Sequence, residues 1–303
     1  MIKNLFLCFA LCALFSACGT KTSDPTLRDF TFAPVKGIRY EEVKRRFSDG
    51  LSFNSDGFMQ QPSWIIEVVA EDSILAYSPH KKIMQGFHLH YDHGNVYNFA
   101  EEWFKVKHIS KDSLVLQRVQ VDAKVIAKDI RSDVNMTFYA QTYIKNKLKT
   151  EASELQKPTS ADTAFIKKRS AAVNQNPDSA YAARNPVQFI ATVNFVTVEK
   201  ISTVNKLIQR TVAYDYMYPQ YKIVINKAYK DFAHQFSVVI APNGDAKVRN
   251  VYGVMPEDVD SKRKVIQALC DYYLKNYFKI LAGETLGIPH NSEITLTLVG
   301  KGF

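Results

Sequence analysis

Cysteine is scarce. The chain has four in 303 residues, at positions 8, 12, 18 and 270. Cys8 and Cys12 sit inside an N-terminal apolar run, so a processed chain keeps only Cys18 and Cys270. That is too few for a disulfide framework, and the fold must rest on its buried surface. Long hydrophobic runs are lacking as well. The apolar run from Leu5 ends at Phe15, short of the roughly 20 residues that a membrane-spanning helix needs. No phosphate-binding G-x-x-x-x-G-K-[ST] loop and no G-x-S-x-G elbow occurs, which argues against P-loop nucleotide chemistry and a serine α/β-hydrolase. No internal repeat is present. Positive charge is not concentrated either. The net +9 divides as +3 over 19–150, +1 over 151–186 and +4 over 187–303, with Lys3 supplying the rest. A nucleic-acid groove would gather Lys and Arg on one element, so no nucleic-acid partner is expected.

What is present begins with the N-terminus. Lys3, the apolar run Leu5–Phe15 and the small residues Ser16-Ala17 before Cys18 read as a secretory signal peptide over 1–17. Phe15-Ser16-Ala17-Cys18 resembles the lipobox of bacterial lipoproteins, departing from it in having Phe15 where Leu is usual. The resemblance implies cleavage before Cys18 and acylation of its thiol. A membrane partner through this lipid anchor follows, and with it a place in the cell envelope, at the outer membrane of a Gram-negative bacterium. Two or three acyl chains hold a protein stably, since each buried methylene contributes about 0.8 kcal/mol. Residues 18–35, with Gly19, Pro25 and Pro34, have little to bury and read as a lipidated tether.

With 46% hydrophobic and 12% aromatic residues, the remainder can build packed cores, and its length suits two domains. The expected fold class is α+β, with a β-rich domain over 36–150, a linker over 151–186 and an α+β module over 187–303. In the first domain Tyr40 to Phe47 is a short helix candidate, Val43 and Phe47 being four apart. From Trp64 onward short apolar stretches alternate with turn residues, among them Asp92-His93-Gly94-Asn95 and Lys111-Asp112-Ser113. They suggest an antiparallel sandwich or partial barrel. The stretch Val106-Lys107-His108 to Gln117 is similar to small lipocalin-like envelope domains. The segment 151–186 is polar and punctuated by Pro158, Pro177 and Pro186, with one helix expected around Ala161 to Val173. It should open readily to protease.

In the last hundred residues, Lys222 to Phe232 reads as an amphipathic stretch. Two strands, Gln235 to Ala241 and Lys247 to Tyr252, flank Asn243-Gly244, a strong hairpin signal. A helix from Asp260-Ser261 to about Leu281 follows, with Val265, Ile266, Leu269, Tyr273 and Tyr277 at helical spacing. The alternation Glu293 to Leu298 predicts a half-buried strand. The order Tyr218-Pro219, hairpin, helix and terminal strand resembles the C-terminal domain of TonB-type energy transducers. The chain departs from that family in lacking a membrane helix and a proline-rich spacer.

The sharpest chemical signal is His88-Leu89-His90-Tyr91-Asp92-His93. It fits the H-x-H-x-D-H motif of the metallo-β-lactamase superfamily, which implies His88, His90, Asp92 and His93 as zinc ligands of a metal-dependent hydrolase. The family's further ligands have no counterpart here, since His234 and His290 stand outside glycine-rich turns. Read as a hairpin, Phe87, Leu89 and Tyr91 turn inward while His88 and His90 face water, and no metal site results. Tyr214, Tyr216, Tyr218 and Tyr221, with Met217, are aromatic enough for a sugar or peptide surface, but a packed seam between domains accounts for them better, because aromatics dominate buried contacts. Asp72-Ser73, Asp112-Ser113, Asp162-Thr163 and Asp178-Ser179 resemble the O-glycosylation sequon of some Gram-negative envelope proteins. No catalytic residue and no cofactor are expected. The leading expectation is a lipid-anchored, non-catalytic binding or scaffolding protein with a protein, glycan or lipid partner. The hydrolase and a lipocalin-like small-ligand carrier are the alternatives.

Overall fold

The structure is a computed structural model, and it describes residues 28–122, 125–126, 132–205 and 211–302. Cys18 and the first part of the tether lie outside the described residues. Among the described residues no helix is long and apolar enough to cross a membrane. The fold is α+β, and the chain divides into two compact units. The first comprises residues through Glu41, Trp64–Ser132 and Thr137–Leu148. The second comprises Glu42–Ser63, Asp133–Met136 and Lys149–Phe303.

The first unit carries most of a large antiparallel sheet. Its strands are β1 (Arg39–Arg46), β2 (Ile65–Ala70), β3 (Ser73–Ser78), β4 (Ile83–His88), β5 (His90–His93), β6 (Val96–Phe99), β7 (Glu102–Ile109) and β8 (Ser113–Val119). A small hairpin of β9 (Val121–Asp122) and β10 (Val125–Ile126) precedes β11 (Val134–Ala140). The sheet order is β4-β3-β2-β1-β11-β8-β7-β6-β5, two runs of consecutive strands joined through β11, with β4 and β5 as the edge strands. Leu89 alone separates those two strands. Consecutive Cα atoms lie about 3.8 Å apart, so the two ends of the sheet come close and it curls into a partial barrel. Its first edge pairs with β3 and its second with β6.

Period-two burial explains the interior. Ile66, Val68, Ile74, Phe104, Val106, Leu114 and Leu116 point inward and are almost wholly buried, with Val68 opposite Ile74 and Val106 opposite Leu116. A barrel of about eight strands is just wide enough for side chains to fill. Here Phe99 and Phe104 stack with centroids 4.5 Å apart, and Trp64 sets its edge against both, at 5.9 and 5.6 Å.

The helix expected over Tyr40 to Phe47 is instead the strand β1. Arg39, Tyr40 and Glu41 pair with Glu67, Ile66 and Ile65. The Tyr40 hydroxyl donates to the Ser110 carbonyl at 2.6 Å, and burial pushes that phenol well above its ordinary pKa. Ladder pairing and a buried Tyr40 outweigh the weak helical preference of a short charged segment.

The second unit has strands β12 (Gln188–Ala191), β13 (Val196–Ile201), β14 (Gln220–Ala228), β15 (Phe232–Ile240), β16 (Ala246–Val251), β17 (Phe278–Leu281), β18 (Glu284–Thr285), β19 (Ile288–Pro289) and β20 (Ser292–Gly302). Five of them form a sheet in the order β13-β14-β20-β15-β16, while β12 pairs with β17 and β18 with β19. The terminal strand is central, parallel to β14 on one side and antiparallel to β15 on the other. Its alternation holds as expected, with Ile294, Leu296 and Leu298 buried. Gly300 passes so close to Phe232 that a Cβ there would lie 2.3 Å from the ring.

The hairpin between β15 and β16 turns at Gly244, at φ +86, where glycine avoids the strain that a side chain would meet. Lys222 to Phe232, expected as an amphipathic stretch, lies mostly in the strand β14, because Tyr221, Ile223 and Ile225 alternate into the core. The helix Val259–Leu269 continues through a wide turn at Cys270–Leu274 and ends at Tyr277. Residues 278–281, expected as its last turn, form β17, which pairs with β12. Ile266, Leu269, Cys270 and Tyr273 pack this helix onto the sheet.

Residues 160–175 form a helix, as expected near Ala161 to Val173. Asp162, Ile166, Ser170 and Val173 are its buried face.

Candidate functional site

Of the residues singled out in the sequence, Cys18 lies outside the described part. The histidine cluster lies at the junction where the first unit's sheet closes. His88 ends β4 and His90 opens β5, both exposed, with Leu89 buried between them. The pleat therefore sets the two histidines on one face, ring centroids 6.1 Å apart. Asp92 and His93 turn to each other instead, Nδ1 to Oδ2 at 2.5 Å. A register shift between Tyr91 and His93 takes that pair out of the alternation. Among the described residues no group of three or more His, Cys, Asp or Glu could hold one metal ion. The nearby hollow is lined by Arg28, Glu71, Asp72 and Tyr91 as well as His88 and His90.

The tyrosine cluster divides by its hydrogen bonds. Tyr216 is buried, accepts the Met59 N–H at 3.0 Å and lies 4.5 Å beneath the Arg184 guanidinium. Tyr221 is buried and donates to the Val187 carbonyl at 2.5 Å, its phenol pushed up to about 12 by burial. These two are core. Tyr218, after the single helical turn Tyr214–Met217, is 58% exposed.

Tyr218 forms one wall of a cleft of about 440 Å³ in the second unit. Tyr181, Tyr252, Arg169, Asp56 and Glu293 contribute other parts of it. Tyr252 follows β16 and is 45% exposed. Arg169 extends from the helix Ser160–Gln175, donating from Nε to the Ser55 carbonyl at 3.1 Å and from Nη2 to the Ser179 carbonyl at 3.2 Å. Its Cζ stands 5.4 Å from the Tyr181 ring centroid. A guanidinium has five N–H donors, and carbonyl partners fix its plane without neutralising it. Glu293 forms an ion pair with Arg249 at 2.9 Å. The backbone behind Tyr181 is close-packed: Gly57, at φ +86, would place a Cβ 2.2 Å from the Ala182 carbonyl oxygen.

Beneath the cleft wall lies a polar cluster that sequence reasoning did not find. His290 is wholly buried and stacked on Tyr181, ring centroids 3.8 Å apart and planes 10° off parallel. Its Nδ1 is 3.1 Å from the Asn291 carbonyl. A carbonyl can only accept, so Nδ1 carries the proton and Nε2 accepts from the Thr285 hydroxyl at 3.0 Å. Burial holds the imidazole pKa down to about 4, and Arg169 adds to the depression. Tyr181 is tied to Ser170 at 2.9 Å, and burial raises its phenol. The ring that faces the cleft is thus held from behind by packing and hydrogen bonds. Pro289-His290-Asn291 offers little sequence signal for this, since the partners come from residues 170, 181 and 285.

The serine of Asp112-Ser113 is bonded within its turn, to Ser110 Oγ. Asp162 of Asp162-Thr163 is buried. No family model matches the chain, and no curated protein matches it.

Proposed function

We propose that the chain is a lipid-anchored lipoprotein of the bacterial cell envelope that binds rather than catalyses, with the Arg169 cleft as its binding site. The observation that carries this reading is the company Arg169 keeps. A guanidinium oriented by two carbonyls stands beside the Tyr181 face and shares a cleft with two exposed tyrosines. Aromatic faces suit sugar rings, and a fixed guanidinium suits a carboxylate. Asp56 and Glu293 can accept from hydroxyl or amine groups. Together these fit an envelope glycan that carries acid and amine groups, of which a peptidoglycan disaccharide-peptide is the natural probe.

Titration calorimetry with that muropeptide should give one saturable site on the full chain. Arg169→Gln and Tyr252→Ala should each weaken it by about tenfold or more, the cost of losing one anchor residue of about 1.4 kcal/mol. Heat signals unaltered by both substitutions would reject the cleft as the site.

The geometry favours this reading over the alternatives. A hydrolase at His88, His90, Asp92 and His93 would need at least three of them around one ion, and the Asp92–His93 pair faces itself. A small-ligand carrier would need space inside the barrel, where Phe99, Phe104 and Trp64 pack against one another.

A further inference from the structure

The helix Val259–Leu269 carries a second apolar stripe, opposite in sense to the one that covers the sheet. Ile266, Leu269 and Cys270 face the core. Val265, Ala268 and Tyr272, spaced three and four residues apart, face outward on one side. Val265 is 48% and Tyr272 57% exposed. Across from this stripe, Tyr229 follows the end of β14 and is 61% exposed. Its N–H donates to the Tyr273 hydroxyl at 3.3 Å, which ties the loop to the helix. Between them runs an open groove of about 560 Å³, also lined by Leu269, Tyr277 and Lys227, a size typical of small-molecule sites.

Lys227 is the one charged residue in that lining. Its Nζ stands 5.7 Å over the Phe195 ring, and Lys230 holds its own ammonium 5.3 Å over Tyr229. The neighbouring carboxylates are engaged elsewhere: Asp271 accepts from Gln267, and Asp231 from the Gly302 N–H. The groove therefore has aliphatic and aromatic walls, a cationic side and no acidic group lining it. A sugar would find no carboxylate or amide acceptor along this wall for its hydroxyls. A hydrocarbon chain ending in a negative charge satisfies both the walls and the lysines, by apolar burial and by charge complementarity.

We propose that this groove binds a single-chain amphiphilic anion of the fatty-acid type, its chain along Val265, Ala268 and Tyr272 and its carboxylate at Lys227. The site is separate from the Arg169 cleft and stands independently of it.

The test uses the chain from residue 19 onward, without the apolar run Leu5–Phe15 and the acylated thiol, so that no detergent competes, and titrates it calorimetrically with myristate below its micelle threshold. One saturable site is expected. Lys227→Glu and Val265→Asp should each weaken binding by about tenfold or more. Both side chains are exposed, so circular dichroism should report unaltered folding. Three results would overturn the proposal. The first is equal affinity for tetradecyltrimethylammonium, which has the same chain and the opposite charge. The second is adsorption to phosphatidylglycerol vesicles with no saturable binding of monomeric myristate, which would make the stripe a membrane-contact face. The third is a dimer in sedimentation that Val265→Asp disperses and myristate does not, which would make the stripe a contact between two copies.

Discussion

His290 shows how much one buried side chain can decide. Its imidazole is neutral because burial leaves no water to solvate a charge, while the unfolded chain would titrate near 6.5. Folding therefore depresses this pKa, to about 4. Between those two values the unfolded state binds the proton and the folded state does not, so stability falls as pH falls from 6.5 toward 4. The difference amounts to something on the order of 3 kcal/mol. Thermal unfolding followed by circular dichroism should show the midpoint dropping across this window. In His290→Gln that portion of the slope should be absent, although the variant is less stable at neutral pH. A midpoint with the same pH slope in both proteins would mean that His290 already carries its proton in the fold.

At the scale of elements, the helix Ser160–Gln175 is set by a contact far away in sequence. Thr159 and Asp162 make a capping box, which the local sequence can specify. Asp162, however, is wholly buried. Its carboxylate also accepts from the Ser52 N–H at 2.7 Å and from Arg46 Nη1 at 3.1 Å. Burial alone would raise its pKa, but the N–H groups of Ser52 and Thr159, the Thr159 hydroxyl and the Arg46 charge together hold it below the ordinary carboxylate range.

A fragment of residues 150–303 keeps the helix and loses Arg46 and Ser52. Removing one partner of a buried ionic group costs about 3–5 kcal/mol, and whole domains are stable by only about 5–15 kcal/mol. The fragment should show a broad, low-temperature transition by circular dichroism. A sharp transition at the midpoint of the whole chain would mean that 42–63 is dispensable to this unit. The protease sensitivity expected of 151–186 from its composition meets the same test. With Ile166 and Val173 buried, the helix should resist cleavage in the whole chain and be cut readily in the fragment.

At the scale of the whole molecule, the proposed anchorage depends on residues outside the described part. If Cys18 is acylated, cells fed labelled palmitate should incorporate it into the wild-type protein and not into Cys18→Ala. Equal labelling of the two would remove the lipid anchor from the proposed function. The strand pattern was readable from local sequence. Short apolar stretches between turn residues marked β2, β7 and β8, period-two alternation marked β20, and Asn243-Gly244 marked the β15–β16 hairpin, because those signals arise between residues a few positions apart. What local pattern could not supply was partnership. Tyr40 to Phe47 carries helical spacing, and only its place in the sheet between β2 and β11 makes it a strand. Phe278 to Leu281 continues a helical run until β12 claims it.

The histidine motif was legible as residues but not as geometry, since a register shift in β5 decides which side chains face one another. The Arg169 cleft and the buried His290 were not legible at all. Arg169 is oriented by residues 55 and 179, and His290 by residues 181, 285 and 291. By itself the sequence determined the α+β class, the alternating strands, the hairpin turn and the positions of the chemically able residues. Tertiary structure alone decided which of them meet, because a sheet curled into a partial barrel and a central strand paired on both sides bring together side chains that no local period connects.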